Sequence, residues 1–168
     1  ISGLYFSWTE LDEIHGDHFK KVKVKNQFKN LLSPSELNFG AAINFLELKE
    51  IAGIPYYWIN GTKLINAYDG DVKDSITKQE AIIISNNNIL DEYKISDIEI
   101  INEVGNHHEY RGRPLPAYVI SYEGSDKLKS YISIKDGQFQ TVRHRSWRWF
   151  DFLWICLLYT SPSPRDCQ

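Results

Sequence analysis

Residues 55–72, PYYWINGTKLINAYDGDV, and residues 117–139, AYVISYEGSDKLKSYISIKDGQF, decide the fold. Both run strand, Gly, Lys, strand, Asp-Gly, strand. In the first, Asn60-Gly61 is a strong hairpin signal, because both residues tolerate the positive φ of a type I′ turn. Asp69-Gly70 and Asp136-Gly137 then close the following strand in each stretch. Tyr118, Ile120 and Tyr122 share one face of a strand, as do Ile132 and Ile134. The likeness has two readings: an internal repeat, or turn chemistry that any two hairpins share.

Working outward, two capping boxes announce helices. Ser33-Pro34-Ser35-Glu36 opens a helix expected over 34–52, with Leu37, Ala41, Phe45, Leu48 and Ala52 at helical spacing and Gly53 as its stop. Thr77-Lys78-Gln79-Glu80 opens a second, expected over 77–87, that Asn86-Asn87-Asn88 breaks. Antiparallel strands are expected near 55–68, 97–104, 116–123, 129–135 and 138–143. The fold class is therefore α+β, with two units, each a helix packed on an antiparallel sheet.

The chain has 168 residues, enough for one domain with a real core or two small units sharing one. A charged share of 24% beside a hydrophobic share of 42% belongs to a folded protein rather than a disordered one. The net charge of −3 supplies no positive field for nucleic acid, which is set aside as a partner. Both cysteines, Cys156 and Cys167, lie at the end, so the body holds no disulfide framework or thiolate metal site.

Aromatic residues are abundant at 14% and crowd both ends. Tyr5, Phe6 and Trp8 precede the acidic ELDEIHGDH; Trp147, Trp149 and Trp154 stand among Arg143, Arg145 and Arg148. Aromatic rings with nearby cations suit a water–lipid boundary, where the ring takes the interface and the charge stays wet. Aromatic core segments, or an amphipathic helix lying on a surface, would use the same residues. Neither run reaches the roughly 20 apolar residues needed to span a bilayer. The membrane reading predicts that the two ends lie together and form an exposed aromatic patch.

SGLYFSWTELDEIHGDHF, GIPYYWI, INAYDGDV, TKQEAIIIS, YRGRPLPAYVISYEG, ISIKDGQF and RHRSWRWFDFLW together resemble the extracytoplasmic region of PepSY-associated transmembrane proteins of bacteria. The resemblance covers essentially residues 1–155. It implies a membrane-exit segment and linker at 1–32, PepSY-like units at 33–76 and 77–145, and the start of a membrane helix at 146–155. It places the region outside the bacterial cytoplasmic membrane, with membrane lipid and an envelope peptidase as partners. The implied role is a non-enzymatic binding or regulatory module restraining that peptidase. Relatives with several membrane helices imply an alternative, a redox role in siderophore-iron or haem reduction. The run CLLYTSPSPRD at 156–166 resembles one frame of a transposon-based sequencing adapter, which implies that residues 156–168 are foreign to the protein. The abrupt start ISGLYFSW, with no initiator Met, gives the expectation of a chain cut at both ends.

The search for chemistry finds little. His15 and His18, with Asp12 and Glu13 nearby, are metal-ligand types, but no spacing fixes a third ligand, and a solvated acidic segment explains them as well. His107-His108 reads as a polar loop. His144 lies between two arginines, which disfavours its protonation. Asn60-Gly61-Thr62 matches a glycosylation sequon, yet the turn accounts for all three residues. Asp91 and Glu92 are adjacent and point apart, unlike an acid–base pair. No nucleophile with a partnered base, phosphate loop or metalloprotease helix can be named. No catalytic residue, metal or cofactor is assigned.

Overall fold

A computed structural model describes residues 16–22, 26–37, 39–40, 42–106 and 108–159, with 155–159 described by backbone alone. Two four-stranded antiparallel meanders make up the body. The first contains β1 (Leu46–Ile51), β2 (Ile54–Ile59), β3 (Lys63–Asn66) and β4 (Val72–Lys73), paired in chain order. The second contains β5 (Ile95–Ile101), β6 (Ala117–Tyr122), β7 (Lys129–Ser133) and β8 (Phe139–Arg143), also in chain order. Helix α1 (Lys78–Asn88) joins the sheets, and α2 (Arg145–Tyr159) follows β8. The class is α+β, as the turn and capping signals imply.

Among the described residues the helix expected over 34–52 does not form; Ala41, counted in its spacing, lies outside them. The capping box forms, with Glu36 accepting from the Ser33 N–H at 3.1 Å, but it opens only a single 3-10 turn, Pro34–Glu36. Gly40 then takes φ 71°, which breaks a right-handed helix. The Asn60 side chain then ties down residues 42–45: its Oδ1 accepts from the N–H groups of Asn44 and Phe45 at 2.9 and 3.0 Å, and its Nδ2 donates to Ala42 O at 2.9 Å. The remainder is β1, paired with β2 from Leu46↔Ile59 to Ile51↔Ile54. Gly53 is half of a two-residue turn, Ala52-Gly53, with φ 51° and 87°, rather than a helix stop. The first sheet therefore has no α-helix of its own among the described residues, which corrects the expected helix-plus-sheet first unit.

The second helix starts as read, but it runs through Asn86-Asn87-Asn88 instead of breaking there and ends at Asn88, with Ile89 as its C-cap. Thr77 Oγ1 accepts from the Glu80 N–H, and Glu80 Oε2 accepts from the Thr77 N–H at 2.8 Å. Ala81, Ile84, Ser85 and Asn88 form the buried face, at the i, i+3, i+4, i+7 spacing of one helical side. Ser85 enters a buried hydroxyl cluster with Tyr122 and Ser130, so this polar contact is satisfied inside the core.

Hydrogen bonds at matched positions show that the two halves share more than turns. Gly70 N donates to Asn66 O at 2.9 Å, and Gly137 N to Ser133 O at 3.0 Å. Ala67 N donates to Pro55 O at 3.0 Å, and Ile134 N to Pro116 O at 3.1 Å. Leu32 N reaches Ala67 O, and Ile76 N reaches Ile134 O, both at 2.9 Å. The Tyr57 hydroxyl donates to Leu32 O at 2.8 Å, and that of Tyr118 to Ile76 O at 3.4 Å. Leu32 and Ile76 each stand immediately before a capping box. Hairpin chemistry does not place a tyrosine hydroxyl on such a carbonyl; a repeated architecture does.

Alternation along β2 divides its side chains between two clusters. Tyr57 and Ile59 pack with Ile65, Leu31, Leu37 and Phe39. Tyr56 and Trp58 join the main core, which also holds Ile51 and Leu64, Ala81 and Ile84 of α1, and Ile120, Ile132 and Val142 of the second sheet. One core thus serves both sheets. A third cluster, Tyr110, Ala117, Val119 and Tyr131, lies on the other face of β6.

Candidate functional site

The base of α2 gathers most of the described residues read as a membrane interface. Its first turn is tied to the body: Arg145 N donates to Asp126 O at 2.8 Å, and Arg148 N to His144 O at 3.1 Å. The loop between β5 and β6 supplies the other side. Tyr110, fully buried, stacks on Tyr131 with centroids 4.7 Å apart, and its hydroxyl donates to Pro114 O at 2.9 Å. That anchor places Glu109 and Arg111 against the helix.

Glu109 accepts from Arg148 Nε at 2.6 Å and Nη2 at 3.2 Å, and also from the Tyr131 hydroxyl. Burial alone would raise the Glu109 pKa, but the Arg148 and Tyr131 hydrogen bonds outweigh it and hold the carboxyl below its ordinary value. The Tyr131 phenol moves upward through burial and the Glu109 carboxylate it faces. One turn further along, Arg111 forms a two-point fork with Asp151, at 2.9 and 3.2 Å. The two charged side chains between Trp147 and Trp154, Arg148 and Asp151, are thus both bound back to one loop.

Beyond those ties the helix is aromatic and apolar. Trp149, Phe152 and Trp154 are 53%, 56% and 49% exposed. Trp149 meets Phe152 edge-on at 5.7 Å, and Phe150 stacks on Trp154 at 6.3 Å. Of the three arginines, Arg145 alone is exposed. Arg143 lies 3.9 Å over the Trp147 ring and donates to Glu109 O and Thr141 Oγ1. Burial, then the neighbouring Arg113, lowers the Arg143 pKa to about 10. The structure therefore brings Arg143, Trp147 and Arg148 together around Glu109, and leaves Arg145, Trp149 and Trp154 facing outward. Tyr5, Phe6 and Trp8 lie outside the described residues.

The first described segment reaches the same place. A 3-10 turn, Asp17–Phe19, puts His18 5.7 Å and Phe19 5.0 Å from His144, centroid to centroid. His144 is buried, its Nε2 has no hydrogen-bond partner, and its pKa falls to about 4. Burial is the largest cause, followed by the His18 and Arg148 charges; the sequence pointed to the arginines first. His15 and His107 lie outside the described residues. Among the described residues no three His, Cys, Asp or Glu groups come together as a metal site.

Sequence reasoning counted Phe152 in the aromatic run but gave no role to Glu109, Arg111 or Asp151. Asp151 carried a usable signal, as a lone acid inside an aromatic run. Glu109 and Arg111 carried none, because only the fold brings their loop to the helix. Among the described residues no helix is long and apolar enough to cross a membrane. Comparison with protein-family models, with curated proteins and with solved structures finds no match.

Proposed function

We propose that this region is an extracytoplasmic binding module of a bacterial membrane protein, seated on the lipid surface by the outer part of α2. The carrying observation is the exposed set Trp149, Phe152 and Trp154, on a helix whose two nearby charges are tied back to the body. Trp149 and Phe152 share one side of the helix and Trp154 lies round on the other, so exposed rings surround its outer part. Large exposed rings mark an interaction surface, and an amphipathic ring favours the headgroup boundary. Arg145, at the start of the same helix, adds attraction to anionic lipid. The PepSY resemblance supplies the rest of the proposal: a regulatory rather than catalytic role, with an envelope peptidase as the restrained partner.

Vesicles of mixed zwitterionic and anionic phospholipid test the lipid contact. The chain is expected to bind them with a blue shift of tryptophan emission, and added salt to weaken the binding. Trp149→Ser with Trp154→Ser removes binding while the far-ultraviolet circular dichroism of the sheets is retained. A doubly substituted chain that binds as tightly as the parent sinks the proposal.

A further inference from the structure

A groove of about 530 Å³ lies between the segment around Lys20 and Lys21 and the outer side of β8. Arg113 and Arg143 both line it. β8 is an edge strand, paired only with β7. An open edge ordinarily invites another strand. Here Arg113 Nη1 donates to Gln140 O at 3.2 Å, and Arg143 Nη1 to Val142 O at 3.1 Å. The edge already carries side-chain donors, which argues against strand addition.

The charges in the groove are unevenly matched. Lys20 pairs with Asp17 at 2.7 Å, and Lys21 with Asp91. Among the described residues neither Arg113 nor Arg143 forms an ion pair with a carboxylate. Arg143 is half-buried, and the Arg113 charge is close enough to disfavour its protonated form. The carboxylates that offset the Arg143 charge, Glu109 and Asp151, are engaged by Arg148 and Arg111, and the groove itself is lined by four cations against one carboxylate, Asp17, so an anion entering it beside Arg113 and Arg143 is stabilised. Planar forks of N–H donors suit carboxylate or phosphate oxygens.

We infer that Arg113 and Arg143 form an oxyanion subsite in this groove, taking a carboxylate or phosphate group, with Lys20 and Lys21 at its rim. The inference does not depend on the lipid reading, because it is tested without lipid. Calorimetric titrations use inorganic phosphate, and a tripeptide with either a free or an amidated C-terminus. Arginine Nε–Hε resonances locate the contact. Binding is expected to shift the Arg113 and Arg143 signals, and Arg113→Gln to weaken it by about tenfold or more. Arg143→Lys, which keeps the charge but loses the fork, should also weaken binding, with circular dichroism checking that the fold is retained. Preference for the free over the amidated tripeptide identifies a chain terminus as the source; response to phosphate alone identifies a phosphate group. No binding of any probe at millimolar concentration, or unchanged affinity in Arg113→Gln, overturns the inference.

Discussion

Gly137 sits at φ 65° in the turn after β7, and a Cβ there would stand 3.1 Å from Ile51 and 3.2 Å from Ile76. Gly61 has a similar φ of 69°, but nothing lies within 4 Å of its Cβ position. Alanine at Gly61 therefore carries backbone strain alone, about 1–2 kcal/mol. Gly137→Ala adds crowding between the two sheets and should cost about 1–3 kcal/mol more. Urea denaturation of both variants measures the difference; equal losses would show that the sheets yield freely at this contact. His144 gives a pH dependence. Its folded pKa, about 4, lies below the ordinary 6.5, so folding favours the neutral ring. Its stabilisation is complete above pH 6.5 and is lost as pH falls toward 4. The thermal midpoint should decline over that window, less steeply in His144→Leu. An equal decline in both would assign the acid sensitivity to other groups.

At the scale of elements, the two capping boxes have unequal consequences. Thr77 caps an eleven-residue helix whose buried face enters the core. Thr77→Ala should cost about 1 kcal/mol, the usual loss at such a cap. Ser33 caps a three-residue turn with no buried residue, so Ser33→Ala should cost clearly less. Chemical denaturation of the two variants ranks them, and the reverse order would contradict this account. The contrast between the two boxes also shows how far local signals reach. A capping box specifies how a helix begins; the residues beyond it decide how far the helix runs. After Thr77 the apolar spacing matches a docking surface, whereas after Ser33 the chain meets Gly40 and then the long-range hydrogen bonds of Asn60.

For the whole molecule, the shared core predicts joint unfolding of the two sheets. Lys49 of β1 reaches Asp136 beyond β7 at 2.6 Å, with both side chains only 13% exposed. Burial alone would raise the Asp136 pKa, but the hydrogen bonds from Lys49 and Ser133 hold it below its ordinary value. Lys49→Met leaves that carboxylate without its cation and should cost about 2–3 kcal/mol, below the range for fully buried pairs because some water remains. Trp58 fluorescence and far-ultraviolet circular dichroism should report one coincident transition. Two separated transitions would mean that the sheets are independent, whatever their packing.

The sequence by itself determined the α+β class, α1, and the hairpins around Asn60-Gly61 and Asp136-Gly137, because each rests on chemistry within a few residues. Turn dipeptides set φ locally, and a capping box satisfies its own N–H groups. Only the tertiary structure decided the fate of residues 37–53. Leu37, Ala41, Phe45 and Leu48 fit a helical period, while the same segment supplies the short pattern of a strand, and Gly53 at positive φ suits either a helix stop or a hairpin turn. The ladder to β2 and the Asn60 side chain resolved that ambiguity from a distance. The arginines divide in the same way. Their number and place beside the aromatic run were written in the sequence; whether each faced Glu109, the groove or water depended on a loop more than thirty residues earlier in the chain. A charge takes the lowest-energy partner that folding brings to it, and sequence spacing does not contain that distance.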